Sequence, residues 1–252
     1  MTDVLDIAKK NGRWTECPSC KEIIITKKLE ENLWVCPHCN YHFRLNATRR
    51  IAITCDKDSF TELPIFVADL DKDIRGGSYR TDDAIKGGMA CIEGLSCVAG
   101  IMDFAFKGGS MGVSVAQAVI NLMKHAKRVN HPLIMFCASG GVRIQEGIWG
   151  LMQMLRTAQA RNLTADVPMI TVFTDPTLGG VTASFAALAD IMLAEPGSNI
   201  GFAGPRVVEN TINHKLPSGF QSAEMLLSQG FLDNIVDRHQ LRDTLAYLLR
   251  WF

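Results

Sequence analysis

From about residue 88 the chain alternates between two hydrophobic periods. "MACIEGLSCVAGIMDFAF" carries strand-like apolar runs and leads to Gly108-Gly109, after which "SVAQAVINLMKHAKRV" has apolar residues at helical spacing. "PLIMFCAS" is a buried-strand run that ends at Gly140-Gly141, and "VRIQEGIWGLMQMLRTAQAR" behind it is helical. "PMITVFTDPTL" runs to Gly179-Gly180, with helical spacing again in "VTASFAALAD". Short β-rich runs alternating with helical runs predict an α/β fold with largely parallel strands. Upstream, "NATRRIAITC" reads as a helix, "DLDKDIRGGSYRTDDAIKGG" as a polar surface loop, and "EIIITKKLEENLWV" as two short strands joined by a polar turn.

A double glycine at a strand-to-helix junction has a chemical use. The first turn of a helix leaves backbone N–H groups without partners, and a residue lacking Cβ lets a ligand atom approach them. Such a junction can hold an oxyanion or a phosphate; it can equally serve a tight turn and close packing. Gly108-Gly109-Ser110-Met111-Gly112 also spells the nucleophile-elbow pattern of serine hydrolases, with Asp175 or Asp190 and then His214 following in chain order. The junction recurs without a serine at 140–141 and 179–180, so the repeated element is the glycines. His214 lies in a polar stretch with no signal of its own.

Composition adds a second, smaller theme. Four of the eight cysteines form two C-x-x-C knuckles, Cys17/Cys20 and Cys36/Cys39, with 15 residues between them. Four thiolates at this spacing suit a tetrahedral Zn²⁺, and a closed four-sulfur site has no open position for water, so the expected zinc is structural, one per chain. His38 and His42 are expected at the surface rather than as ligands. Boundaries follow: a ribbon over residues 1–50 and a larger domain over 51–252. The chain of 252 residues has zero formal net charge, so nothing global points to nucleic acid or to an acidic membrane surface. Residues 1–50 hold nine Lys/Arg and six Asp/Glu, an excess that a zinc tetrathiolate largely cancels, so the charge of the ribbon does not demand nucleic acid. No apolar run approaches the roughly 18 residues of a membrane span, and the N-terminus lacks the pattern of a secretory signal. A cytoplasmic setting, bacterial or plastid, is expected.

The pieces "CPSC…CPHC", "FAFKGGSMG", "ASGGVRIQEG", "LMQM", "TDPTLGGVTASFA", "IGFAGPRVVE" and "LPSGFQSAEMLLSQGFLDNIV", in this order, closely resemble the family of β subunits of bacterial and plastid acetyl-CoA carboxylase carboxyltransferases. The resemblance implies a crotonase-like spiral of ββα units behind a four-cysteine zinc ribbon. It implies transfer of a carboxyl group from carboxybiotin, borne on a biotin carboxyl carrier protein and not attached to this chain, to acetyl-CoA, giving malonyl-CoA for fatty acid synthesis. By motif, Gly179 and Gly180 would donate backbone N–H bonds to the thioester oxygen. Gly108, Gly109, Ser110 and Met111 would shape the CoA pocket, with Gly140, Gly141 and Arg143 near the thioester and pantetheine, and Arg206 a further substrate-binding residue. For Arg143 the alternative is a structural ion pair with Glu146 or Asp175. A homologous α subunit would supply the opposing half-site in an α₂β₂ assembly, and exposed Met111, Trp149 and Met152 would contact it or pack as core. The segment from 69 to 88 looks shorter than the family pattern and a C-terminal tail is absent. This leaves a paralogue acting on another acyl-CoA or acyl-carrier thioester, or a malonyl-thioester decarboxylase, as alternative readings.

Overall fold

The computed structural model describes residues 13–63 and 83–252, and the chain divides into two compact units, Met1–Leu45 and Asn46–Phe252. The helix that begins at Ala47, capped by the Asn46 side chain accepting from Arg49 N at 2.9 Å, goes with the larger unit.

In the small unit, β1 (Trp14–Glu16) pairs antiparallel with β2 (Ile23–Ile25), and the first knuckle is the turn between them. This corrects the expected hairpin. Only its first strand forms; "TKKLEE" becomes the short helix α1 (Thr26–Glu31), which buries Leu29. Downstream, Val35 makes only an isolated bridge with His42. His42 is also buried rather than exposed. The two knuckles repeat one backbone device. Cys17 N and Cys36 N donate to Glu22 O and Tyr41 O, and the residue after each second cysteine, Lys21 and Asn40, turns back in the left-handed region to donate to the first cysteine's carbonyl.

The larger unit is built on one sheet in the order β10-β8-β7-β6-β5-β4-β3, with β9 added to the end of β7. Its strands are β3 (Thr61–Glu62), β4 (Ile85–Ile92), β5 (Leu95–Met102), β6 (Leu133–Ser139), β7 (Met169–Leu178), β8 (Ile191–Ala194), β9 (Ile200–Gly201) and β10 (Asn234–Ile235). From β5 through β10 the pairings are parallel; β4 and β3 are antiparallel additions. Both faces are covered, which is why the strands read as unbroken apolar runs. Leu133, Met135 and Cys137 of β6 join the core under α3 (Val113–Val129) and α4 (Ile148–Leu163), whereas Ile134 and Phe136 join the core under α2 (Ala47–Thr54) and α8 (Arg238–Leu249).

The third predicted helix is mostly lost. Only α5 (Gly179–Thr182) forms, followed by a single turn at Ala186–Leu188. Thr182 and Ser184 hydroxyls donate to the carbonyls of Thr177 and Gly180, and such side-chain capture competes with helix continuation. Two further helices, α6 (Pro205–Ile212) and α7 (Ala223–Ser228), precede β10.

On the α2/α8 face, Glu195 accepts from Arg50 at 2.6 Å and from Arg238 Nε at 2.8 Å, all three side chains being buried. Removing one member of a buried ion cluster leaves uncompensated charge. Glu195→Ala is therefore expected to cost about 3–5 kcal/mol, measured by denaturant unfolding; a loss under 1 kcal/mol would show the arginines find other partners.

Candidate active site

The three glycine pairs meet at the C-terminal ends of β5, β6 and β7. Gly140 N donates to Gly108 O at 2.8 Å, Met111 N to Gly141 O at 2.8 Å, and Arg143 N to Met111 O at 2.8 Å, so the first two junctions are laced together. Ser139 Oγ adds a bond to Gly109 O at 2.6 Å. Glycine is obligatory at two of these points. A Cβ on Gly109 (φ +62°) would stand 2.0 Å from Ala138 O, and one on Gly179 (φ +63°) would stand 2.8 Å from Gly141 Cα. The second and third junctions thus touch backbone to backbone, and six glycines form one ledge.

The ledge narrows the donor assignment. Gly179 N, one of the two donors expected at the oxyanion, already donates to Phe202 O at 2.7 Å. Gly140 N and Gly141 N are spent as well, on Gly108 O and on Ser139 Oγ at 3.0 Å. Of the six ledge glycines, Gly180 N and Gly108 N have no acceptor among the described residues, and Gly180 N is the one next to the third junction's engaged Gly179 N. It sits in the first turn of a four-residue helix, so what it offers is its own N–H rather than a macrodipole.

For Arg143 the structure shows the ion-pair alternative. The residue is 7% exposed, and its five N–H groups match five protein bonds. Nε donates to Ser110 Oγ at 3.2 Å, Nη1 to Asp83 at 3.3 Å and Glu146 at 3.2 Å, and Nη2 to Asp83 at 2.6 Å and Ser110 O at 3.0 Å. Burial works against its charge, but the bonds it donates to Asp83, then the charges of Asp83 and Glu146, hold the guanidinium above its ordinary pKa. Glu146 also accepts Val113 N at 2.7 Å, capping α3. Arg143 is therefore the clamp that fixes the Ser110 loop to the start of α3. Of its two expected partners Glu146 is found, whereas Asp175 instead accepts Asn199 N at 3.2 Å. Asp83, 60 residues away in sequence, had no local signal.

Ser110 Oγ meets Arg143, not a histidine. Asp190 is held by Arg161 Nη2 and Met169 N, each at 2.7 Å, and His214 is exposed beyond the end of α6. No hydrolase triad forms among the described residues. Ser110→Ala should keep turnover within about tenfold, where loss of a serine nucleophile costs on the order of 10⁶; steady-state kinetics decide. Met111 is fully buried and contributes to the core, whereas Trp149 and Met152 are exposed on α4. Arg206 belongs to α6, but its side chain lies outside the described residues.

In the small unit the sulfurs of Cys17, Cys20, Cys36 and Cys39 lie within 4.8 Å of one another, with Cys17–Cys39 at 3.6 Å and Cys20–Cys36 at 3.7 Å. A tetrahedral ion with bonds of about 2.3 Å to sulfur spaces its ligands about 3.8 Å apart. The residues fit a four-thiolate metal.

The Carboxyl transferase domain family matches residues 43–226, and the Acetyl-CoA carboxylase zinc finger domain matches residues 14–39. The acetyl-coenzyme A carboxylase carboxyl transferase subunit beta of Carboxydothermus hydrogenoformans is 46% identical over 253 residues, covering 96% of this chain and 90% of the relative. That of Gloeobacter violaceus is 46% identical, covering 95% and 84%. Among solved structures, a Pseudomonas malonate decarboxylase hetero-tetramer superposes with TM-score 0.70 at 22% identity, covering 82% of each chain. The transcarboxylase 12S core superposes with TM-score 0.71 at 22% identity, over 87% of this chain and 42% of that one. At this identity the likeness speaks for the fold, the carboxyl transferase, crotonase-like one.

Proposed function

The chain belongs to the family of acetyl-coenzyme A carboxylase carboxyl transferase β subunits, and from that premise we propose that its glycine ledge is the acetyl-CoA half of a shared carboxyltransferase site. The observation that carries the reading is the unengaged Gly180 N–H beside the engaged amides of Gly179, Gly140 and Gly141. Carboxybiotin, delivered on a separate carrier protein, supplies CO₂ and a ureido nitrogen able to take the α-proton. The chain's own task is then to bind and polarise. The thioester oxygen accepts the Gly180 N–H, negative charge builds there as the α-carbon loses its proton, and the enolate carbon attacks CO₂ to give malonyl-CoA. One such donor is worth about 10²–10³ in rate. Gly108, Gly109, Gly140 and Gly141 shape the wall, and Arg143 with Asp83 holds it. No side chain of the ledge acts as a base, consistent with the absence of a triad among the described residues.

The opposing oxyanion site for biotin belongs to an α subunit in an α₂β₂ assembly. The outward stripe of α4, Ile148, Trp149, Leu151, Met152 and Leu155, is 44–64% exposed, more contiguous apolar surface than a lone subunit carries without use, and is assigned to that contact. The four thiolates would hold Zn²⁺ as a structural ion that ties the two knuckles together. The reaction's setting is the bacterial cytoplasm, as for a family supplying malonyl-CoA. Carboxyl transfer from carboxybiotinylated carrier, assayed with the αβ mixture on acetyl-CoA against longer acyl-CoAs and acyl-carrier thioesters, tests the reading. Preference for acetyl-CoA supports it; preference for another thioester moves the chain to the paralogue reading.

A further inference from the structure

Resting on the α-subunit reading of the α4 stripe, we infer that the partner surface presents carboxylates to a cationic pocket at the edge of that stripe, between α3 and α4. The two helices together carry Lys124, Lys127, Arg128, Arg156 and Arg161 and no Asp or Glu. Lys127 and Arg161 are neutralised from outside the helices by Asp166 and Asp190. Lys124, Arg128 and Arg156 have no carboxylate partner among the described residues. A cavity of about 320 Å³ lies between the helices, lined by Lys124, Lys127, Arg156, Gln159 and Leu163.

Arg156 is set up for such a contact. Its Nη1 donates to Gln153 Oε1 at 2.7 Å and its Nη2 to Gln117 Oε1 at 2.6 Å. Two neutral amides fix the guanidinium plane while leaving its full charge and three N–H donors unspent. The pocket's Arg156 directly follows Leu155 of the stripe on α4, and its Leu163 is 62% exposed. A subunit covering the stripe therefore also takes Arg156 and Lys124 out of water. Burying a cation without a counter-charge is strongly unfavourable, so the covering surface must bring an acid. A second copy of this chain packed α4 against α4 brings cations against cations, which argues for a different, acidic partner.

The test measures binding of the purified chain to its α subunit by calorimetry at two salt concentrations. Lys124→Gln/Arg156→Gln is expected to raise Kd at least about tenfold and to flatten its salt dependence, with an unchanged thermal melt of the free chain. Leu155→Asp, on the stripe itself, is expected to abolish the complex. If the double variant binds like wild type while Leu155→Asp abolishes binding, the acidic seat is overturned and the α-subunit reading stands. If wild type fails to bind the α subunit, or pairs with itself through α4, both are overturned.

Discussion

Gly180→Val is expected to lower carboxyl transfer by at least about 10²–10³, the worth of one lost oxyanion donor, with a much smaller change in the KM for acetyl-CoA. The cause lies in the packing behind the N–H rather than in a block to substrate. A Cβ at Gly180 would meet Val142 Cγ1 at 2.4 Å and Met154 Sδ at 2.9 Å. The new side chain points into packed protein and levers the first turn of α5, so the N–H is re-aimed. Rescue follows from the same geometry. Val142→Ala removes the nearer obstacle, so the pair Gly180→Ala with Val142→Ala should recover part of the activity that Gly180→Ala alone loses. Full activity of Gly180→Val in steady-state assays would remove Gly180 from the reaction.

Stripping the metal should unfold the small unit and spare the larger one. With so few buried residues, β1, β2 and α1 cannot form a core of their own, and structural Zn²⁺ contributes apparent free energies of about 10–16 kcal/mol in small zinc modules. The larger unit has two cores of its own, one on each face of its sheet. Chelation, or Cys17→Ser, is expected to open residues 13–45 to limited proteolysis while the main thermal transition moves little. Undiminished protection of that segment after chelation would show that the ribbon folds without metal.

Much of the site was legible because its signals are local. The Gly-Gly pairs sit where apolar runs give way to helical ones, and the knuckles carry their own turns. What was missed depends on contacts between distant segments. Whether an N–H is available depends on the acceptor opposite it: Gly179 is lost to Phe202 and Gly180 is not, though the two are neighbours in one motif. For Arg143 the ion pair with Glu146 was one of two readings, but Asp83, with no local pattern, was not legible as its second partner. "VTASFAALAD" has helical spacing, but its hydroxyls redirect the backbone after one turn. The "EIIITKKLEENLWV" segment failed for a similar reason. Its first strand found a partner upstream in Trp14–Glu16 rather than downstream, freeing the polar residues to wind into α1.

The most direct test of the central claim, that this chain is half of a carboxyltransferase site, is the loss of malonyl-CoA with biocytin as carboxyl acceptor, measured for the chain alone, the α subunit alone and the two mixed. The account predicts turnover in the mixture and none in either subunit alone. Loss of malonyl-CoA by this chain alone, without biocytin, would contradict it in favour of a decarboxylase or a hydrolase.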